Sequence, residues 1–149
     1  MSVVERNAMS RLLPAVVLVA VLSACGPGEL RVTMKPDNNS GQSGFAVITQ
    51  GQGGKVHVVL DVVAIGTAAQ LVHIHANSTC GEISTPKYQL ISPTPKPDDP
   101  TRIVSESDAS DSAEGPLQFK DLSKGGYVIN MHFPTDNSVY TSCGEVPVP

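Results

Sequence analysis

Apolar and polar residues alternate along most of this chain, the two-residue period of a β-strand rather than the 3.6-residue period of a helix. Leu30-Arg31-Val32-Thr33-Met34-Lys35 alternates without a break and predicts a half-buried strand. Turn clusters follow at Asn38-Asn39-Ser40-Gly41 and Gly51-Gln52-Gly53-Gly54, and between them Gly44 to Thr49 predicts a second strand. A third runs from about Lys55 to Ile65, a fourth from Ala69 to Ala76, a late one from Gly126 to Phe133 and a last short one around Cys143 to Val146. Helical periodicity is absent after Cys25. Many short strands punctuated by turns predict an all-β fold, an antiparallel β-sandwich, as a single domain over residues 30–149.

The middle of the chain breaks the pattern. Ile91 to Pro100 holds Pro93, Pro95, Pro97 and Pro100, and from Asp98 to Glu114 acidic side chains face Arg102 as the lone arginine. This composition predicts a long exposed loop around residues 91–115 with a structural role. The acidic part lacks the alternating ligands and bidentate Glu of a calcium loop.

Upstream of the strands, Arg6 and Arg11 precede an apolar run from Leu12 to Leu22 that ends in Leu22-Ser23-Ala24-Cys25. The order is that of an export signal, and the run is shorter than the roughly 20 residues a membrane span needs. The four residues ending in Cys25 resemble a bacterial lipobox. That resemblance implies that residues 1–24 are removed as a lipoprotein signal peptide and that Cys25 carries the lipid, with residues 25–29 as a tether. The domain is then expected in the bacterial cell envelope, membrane-anchored and facing the periplasm or the exterior. The alternative is an ordinary secretory signal with Cys25 a bystander, and either Met1 or Met9 can serve as the start.

Composition narrows the partners. The chain carries 10 basic and 14 acidic side chains, a formal net charge of −4. Losing Arg6, Arg11 and Glu5 with the signal makes the remainder more negative still, which excludes nucleic acid as an expected partner. With no tryptophan, three tyrosines and three phenylalanines, the core must come from Val, Ile and Leu. With Cys25 assigned to lipid, Cys80 and Cys143 remain. In an oxidising compartment two unclaimed thiols predict a disulfide closing a loop worth roughly 4 kcal/mol in the chain-entropy model. A thiolate metal site would need a reducing environment or a CxxC-like spacing, and neither is present.

Candidate chemistry lies in Leu71-Val72-His73-Ile74-His75-Ala76. Side chains two apart on a strand share a face, so His73 and His75 point one way and Val72 and Ile74 the other. A third imidazole from a neighbouring strand would complete a metal site, and His132 is the candidate. In Tyr127-Val128-Ile129-Asn130-Met131-His132-Phe133 the alternation buries Tyr127, Ile129, Met131 and Phe133 and turns Val128, Asn130 and His132 outward. All three histidines are thus expected on an outward face. Asn130 shares it and is a candidate to orient an imidazole. His57, on the third strand, is expected to be an ordinary exposed histidine. No nucleophile with an adjacent base and no phosphate loop is visible.

His73-Ile74-His75, then Cys80-Gly81, a strand ending in His132 and a final Cys143-Gly144 resemble the order of features in copper-zinc superoxide dismutases. The same His-x-His and the segment Tyr127-Val128-Ile129-Asn130-Met131-His132 are similar to the CHRD domain family. The dismutase resemblance implies an eight-stranded Greek-key sandwich, copper ligands at His73, His75 and His132, and a disulfide between Cys80 and Cys143. Departures accompany it. No histidine lies between His75 and His132, so no zinc subsite is expected, and Tyr140 stands where those enzymes place an anion-steering arginine. The resulting expectation is an envelope lipoprotein that binds copper, with weak superoxide dismutase-like activity at most. The competing class is a metal-free CHRD-type interaction or structural module.

Overall fold

A computed structural model describes residues 28–149. The predicted signal peptide, Cys25 and most of the tether lie outside the described residues. The described chain forms eight strands: β1 (Glu29–Pro36), β2 (Gly44–Gln50), β3 (Val56–Val63), β4 (Val72–Ala76), β5 (Tyr88–Gln89), β6 (Arg102–Asp108), β7 (Tyr127–Phe133) and β8 (Asp136–Glu145). Every pairing is antiparallel. Two short 3-10 turns, at Gln52–Gly54 and Phe119–Lys124, are the helical elements among these residues.

The strands follow the order β5-β4-β7-β8-β1-β2-β3-β6 in one curled sheet. β1 makes the corner: Glu29 to Met34 pair with β2, whereas Lys35 and Pro36 pair with Cys143 and Ser142 of β8. The curl folds β1-β2-β3-β6 over β5-β4-β7-β8, giving the two layers of a sandwich. Neighbours distant in sequence, β3 with β6, β4 with β7 and β1 with β8, are the crossings of a Greek-key arrangement. The free edges approach each other, since the Ser110 N–H donates to the Gln89 carbonyl at 2.9 Å.

Alternation fills the space between the layers. Val32, Met34, Ala46, Ile48, Val58, Leu60, Val62, Val72, Ile74, Ile129 and Met131 are all buried in one cluster, and each large aliphatic side chain removed from water contributes about 1.5–3 kcal/mol. Gly144 is required where β8 crosses this core. A Cβ there would lie 2.5 Å from Val32 Cγ1 and 2.8 Å from Met34 Sδ, closer than side chains pack. At one end of the sandwich a buried polar network replaces apolar packing. Gln42 Nε2 donates to Gln70 Oε1 at 2.8 Å, Thr141 Oγ1 donates to Gln42 Oε1 at 2.6 Å, and Gln70 Nε2 donates to the His132 carbonyl at 2.8 Å.

Three expectations need correction. The expected loop at 91–115 contains β6, which pairs with β3 from His57↔Asp108 to Val63↔Arg102. Only Ile103 of this strand is fully buried; it is an edge strand whose acidic and polar face hid the pattern, as edge strands that resist aggregation do. The last strand begins at Asp136, well before Cys143, because β7 turns straight into it. Phe133 is 43 % exposed rather than buried, since register shifts at Met131/His132 and His132/Phe133 interrupt the alternation there.

Candidate metal centre

β4 and β7 lie side by side with His73 opposite Asn130 and His75 opposite Val128. Val72, Ile74, Ile129 and Met131 go to the core, so His73, His75, Asn130 and His132 stand together on the other face of the sheet. That much follows the alternation. The expectation that this face is open does not hold, because His73, His75 and His132 are only 6 %, 0 % and 3 % exposed, and Val128 and Asn130 are buried as well. Side chains of the β4–β5 loop and of β8 cover them. The Cys80–Cys143 disulfide ties that loop to β8, Ser84 reaches His75, and the Tyr140 ring stands edge-on to His132 and His75 with centroids 4.9 and 5.7 Å away. The Tyr140 hydroxyl donates to the Ser84 carbonyl at 3.3 Å.

One nitrogen from each imidazole lies within 4.8 Å of the other two. The hydrogen bonds identify which. His132 Nδ1 lies 2.6 Å from the Asn137 carbonyl, an acceptor, so Nδ1 donates and Nε2 of the neutral ring carries the lone pair. His73 Nδ1 lies 2.9 Å from that Nε2 and donates to it. His75 Nδ1 is bonded to Ser84 Oγ at 2.8 Å, and His75 Nε2 is buried with no partner. The candidate ligand atoms are therefore His73 Nδ1 and His132 Nε2, 2.9 Å apart, with the unpartnered His75 Nε2 as the third, and binding at His73 Nδ1 requires its proton to move to Nε2. Nitrogens held at about 2.0–2.1 Å from one ion lie about 3.3–3.6 Å from each other at tetrahedral or trigonal angles, so the widest pair must close by more than about 1 Å, which takes a rotation of the rings. Three imidazoles suit zinc, copper, iron or nickel, and an orphaned, buried nitrogen on a ring clustered with two others is what such an ion would satisfy.

The electrostatics favour neutral rings. Burial, then the neighbouring His132 and His75, hold His73 down to a pKa of about 4. Burial lowers His75, with His132 adding and the Ser84 bond opposing. Burial also lowers His132, opposed by its bond to Asn137. Neutral imidazole is the form that ligates metal. Beside the rings is a cleft of about 550 Å³ lined by Leu71, His73, Ile83, Pro86, His132 and Tyr140 among others, with no lysine or arginine in its wall.

The remaining expectations divide as follows. Cys80 and Cys143 are joined. His57 stands apart, on β3 in the other layer, paired with Asp108 at 2.7 Å and Glu106 at 3.0 Å. Asn130 makes no hydrogen bond to any imidazole. Ser84, Asn137 and Tyr140, which orient or cover the rings, were not legible as site residues. The loop carrying Ser84 has no periodicity, and its place depends on the disulfide.

A small antiparallel β-sandwich with a covered cluster of three histidines on one outer sheet face is the class that fold and site define. A family model for the CHRD domain matches residues 25–138, and the chain belongs to that family. No curated protein and no solved structure gives a significant match.

Proposed function

We propose that this CHRD-domain chain is a bacterial envelope lipoprotein, acylated at Cys25, that binds one copper ion through His73, His75 and His132. The observation that carries the metal reading is the convergence of three buried, neutral imidazoles, one with its Nε2 unpartnered. Copper is preferred because it outcompetes the other divalent first-row ions at nitrogen sites. When bound, the ion would supply one-electron chemistry at a position reached from the cleft beside His73 and His132, and weak activity on superoxide is the reaction this permits. The protein's part is to hold three neutral nitrogens in place, with Ser84 and Asn137 each fixing a ring, and to limit water around them. Efficient dismutation is not proposed, since no cation lines the cleft to draw in an anion.

Metal titration with elemental analysis, alongside a superoxide assay with added copper, tests this. One copper per chain is expected for the wild type and for His57→Ala, and sharply reduced uptake for His132→Ala. Equal uptake by wild type and His132→Ala overturns the metal reading. Incorporation of labelled fatty acid that is lost in Cys25→Ser tests the anchor.

A second reading, a metal-free interaction module, is favoured by one contact. His73 and His132 satisfy each other directly at 2.9 Å without an ion. The same titration separates the two.

A further inference from the structure

Among the described residues, three buried side-chain atoms have no hydrogen-bond partner: His75 Nε2, Asn130 Nδ2 and Asn130 Oδ1. They belong to neighbours on one sheet face. Asn130 pairs with His73 across β4 and β7, and His75 pairs with Val128, two residues before Asn130 on the same strand. Asn130 is therefore opposite His73, diagonal to His75 and two residues from His132 on a shared face. The three imidazole positions flank it on the β4 side and along its own strand. On its other side it pairs with Cys143 of β8, which carries the disulfide, and the residue is 1 % exposed.

An unpaired buried carboxamide is costly, and such groups are rare in native proteins. Here the residue that carries an orphaned amide donor and acceptor is the diagonal neighbour, on one sheet face, of the histidine that carries an orphaned nitrogen. Val128 on the same face is buried and apolar, so an amide at the next position is not needed for packing. An ion at the triad would satisfy two of the three atoms, the imidazole nitrogen and the amide oxygen, and leave the amide nitrogen unpaired.

Resting on the copper reading above, we propose that Asn130 is a fourth protein contact of the ion, its carboxamide oxygen facing the ion from the sheet side of the three imidazoles. A neutral carboxamide oxygen would be a weaker donor to copper than the three imidazole nitrogens.

The test uses the purified full-length chain in three forms: wild type, Asn130→Val and Asn130→Asp. Thermal melts are recorded with and without copper, together with the Cu(II) electron paramagnetic resonance spectrum. Valine removes both orphaned atoms and suits a strand, so the metal-free variant should melt no lower than wild type. Its copper-induced rise in Tm should be smaller, its affinity about tenfold weaker and its spectrum altered. Aspartate places a charged oxygen at the same point, so its metal-free form should melt lower and its copper-induced rise should be larger. If the Val variant shows the wild-type copper increment and spectrum, Asn130 holds only a buried water or nothing, and the proposal is overturned while the three-histidine site stands. If the wild type itself shows no copper-induced rise, the metal reading falls and this proposal with it.

Discussion

Ser84 Oγ lies 2.8 Å from His75 Nδ1, so a loop serine holds the triad imidazole whose other nitrogen is buried without a partner. Ser84 is itself fixed from two directions. Its hydroxyl is bonded to Ser78 Oγ at 2.9 Å, and its carbonyl accepts from the Tyr140 hydroxyl. His75 is thus oriented by a chain of contacts that starts on β8 and passes through the loop.

The first prediction follows from that chain. Ser84→Ala removes the group that fixes the His75 ring while leaving β4 and the core untouched, because Ser84 is outside the core cluster. Copper affinity should fall about 10–100-fold, the usual cost of losing such an orienting bond, and the metal-free protein should lose about 1–3 kcal/mol because the buried His75 Nδ1 is left unpaired. Isothermal titration of wild type and variant decides it. Unaltered affinity would mean that His75 needs no support from the loop.

How much of this could be read in advance depends on the period of the residues concerned. The two-residue alternation in Leu30 to Lys35 and around His73 and His75 reports directly which side chains share a face, and it placed the triad together. What it cannot report is what lies above that face. His75 is fully buried because a loop without periodicity is tied down by Cys80 and Cys143, a long-range contact with no local signal. β6 was missed for a different reason: its charged residues serve β3, Asp108 and Glu106 pairing with His57 and Arg102 with Asp61, and composition alone cannot tell a paired charge from a solvated one. At Phe133 a bulge broke the alternation that the reading relied on.

The second prediction concerns His57, whose pKa is raised, chiefly by its bond to Asp108, against partial burial and with help from Glu106. A raised folded pKa means that the pairing stabilises fully below the unfolded value of about 6.5 and is lost as pH rises through the folded value. The partners are exposed, so the contribution is below about 1 kcal/mol and salt-sensitive. His57→Gln should therefore be less stable than wild type near pH 6 in low salt and match it near pH 9. Denaturant melts at the two pH values check it, and copper binding should not change.

The third prediction concerns the staple. Cys80 and Cys143 are 63 residues apart, and opening a loop of that length costs about 4 kcal/mol in the chain-entropy model. In a Cys25→Ser background, free-thiol titration of the folded oxidised protein should find no reactive thiol, and Cys80→Ala should lower unfolding stability by about that amount. Because Ser84 lies on the loop the bond anchors, the same variant should also bind copper more weakly than its loss of stability alone predicts. Reactive thiols in the oxidised protein would count against the pairing.

The last prediction is the acid sensitivity of the metal-free domain. His73, His75 and His132 all have lowered pKa values because they are buried, and His73 is held at about 4. In the unfolded chain each returns to about 6.5. As pH falls below 6.5 the unfolded state takes up protons that the folded state refuses, so stability declines with falling pH and rises again as pH is restored. The limiting slope is about 1.4 kcal/mol per pH unit for each histidine that titrates this way. For His73 the decline continues down to about pH 4. Ordinary carboxylates titrate below about pH 4.5, so the interval from 6.5 to 5 belongs to the histidines. His57 cannot produce the effect, since its shift has the opposite sign. Unfolding stability of the metal-free protein should therefore drop steeply between pH 6.5 and 5, and less steeply in His75→Gln, which removes one titrating ring. Bound copper holds the rings neutral against protons, so its affinity should weaken across the same interval. A metal-free protein equally stable at pH 6.5 and pH 5 would show that the three rings accept protons without cost, and that they are not the dry, neutral cluster on which the metal reading depends.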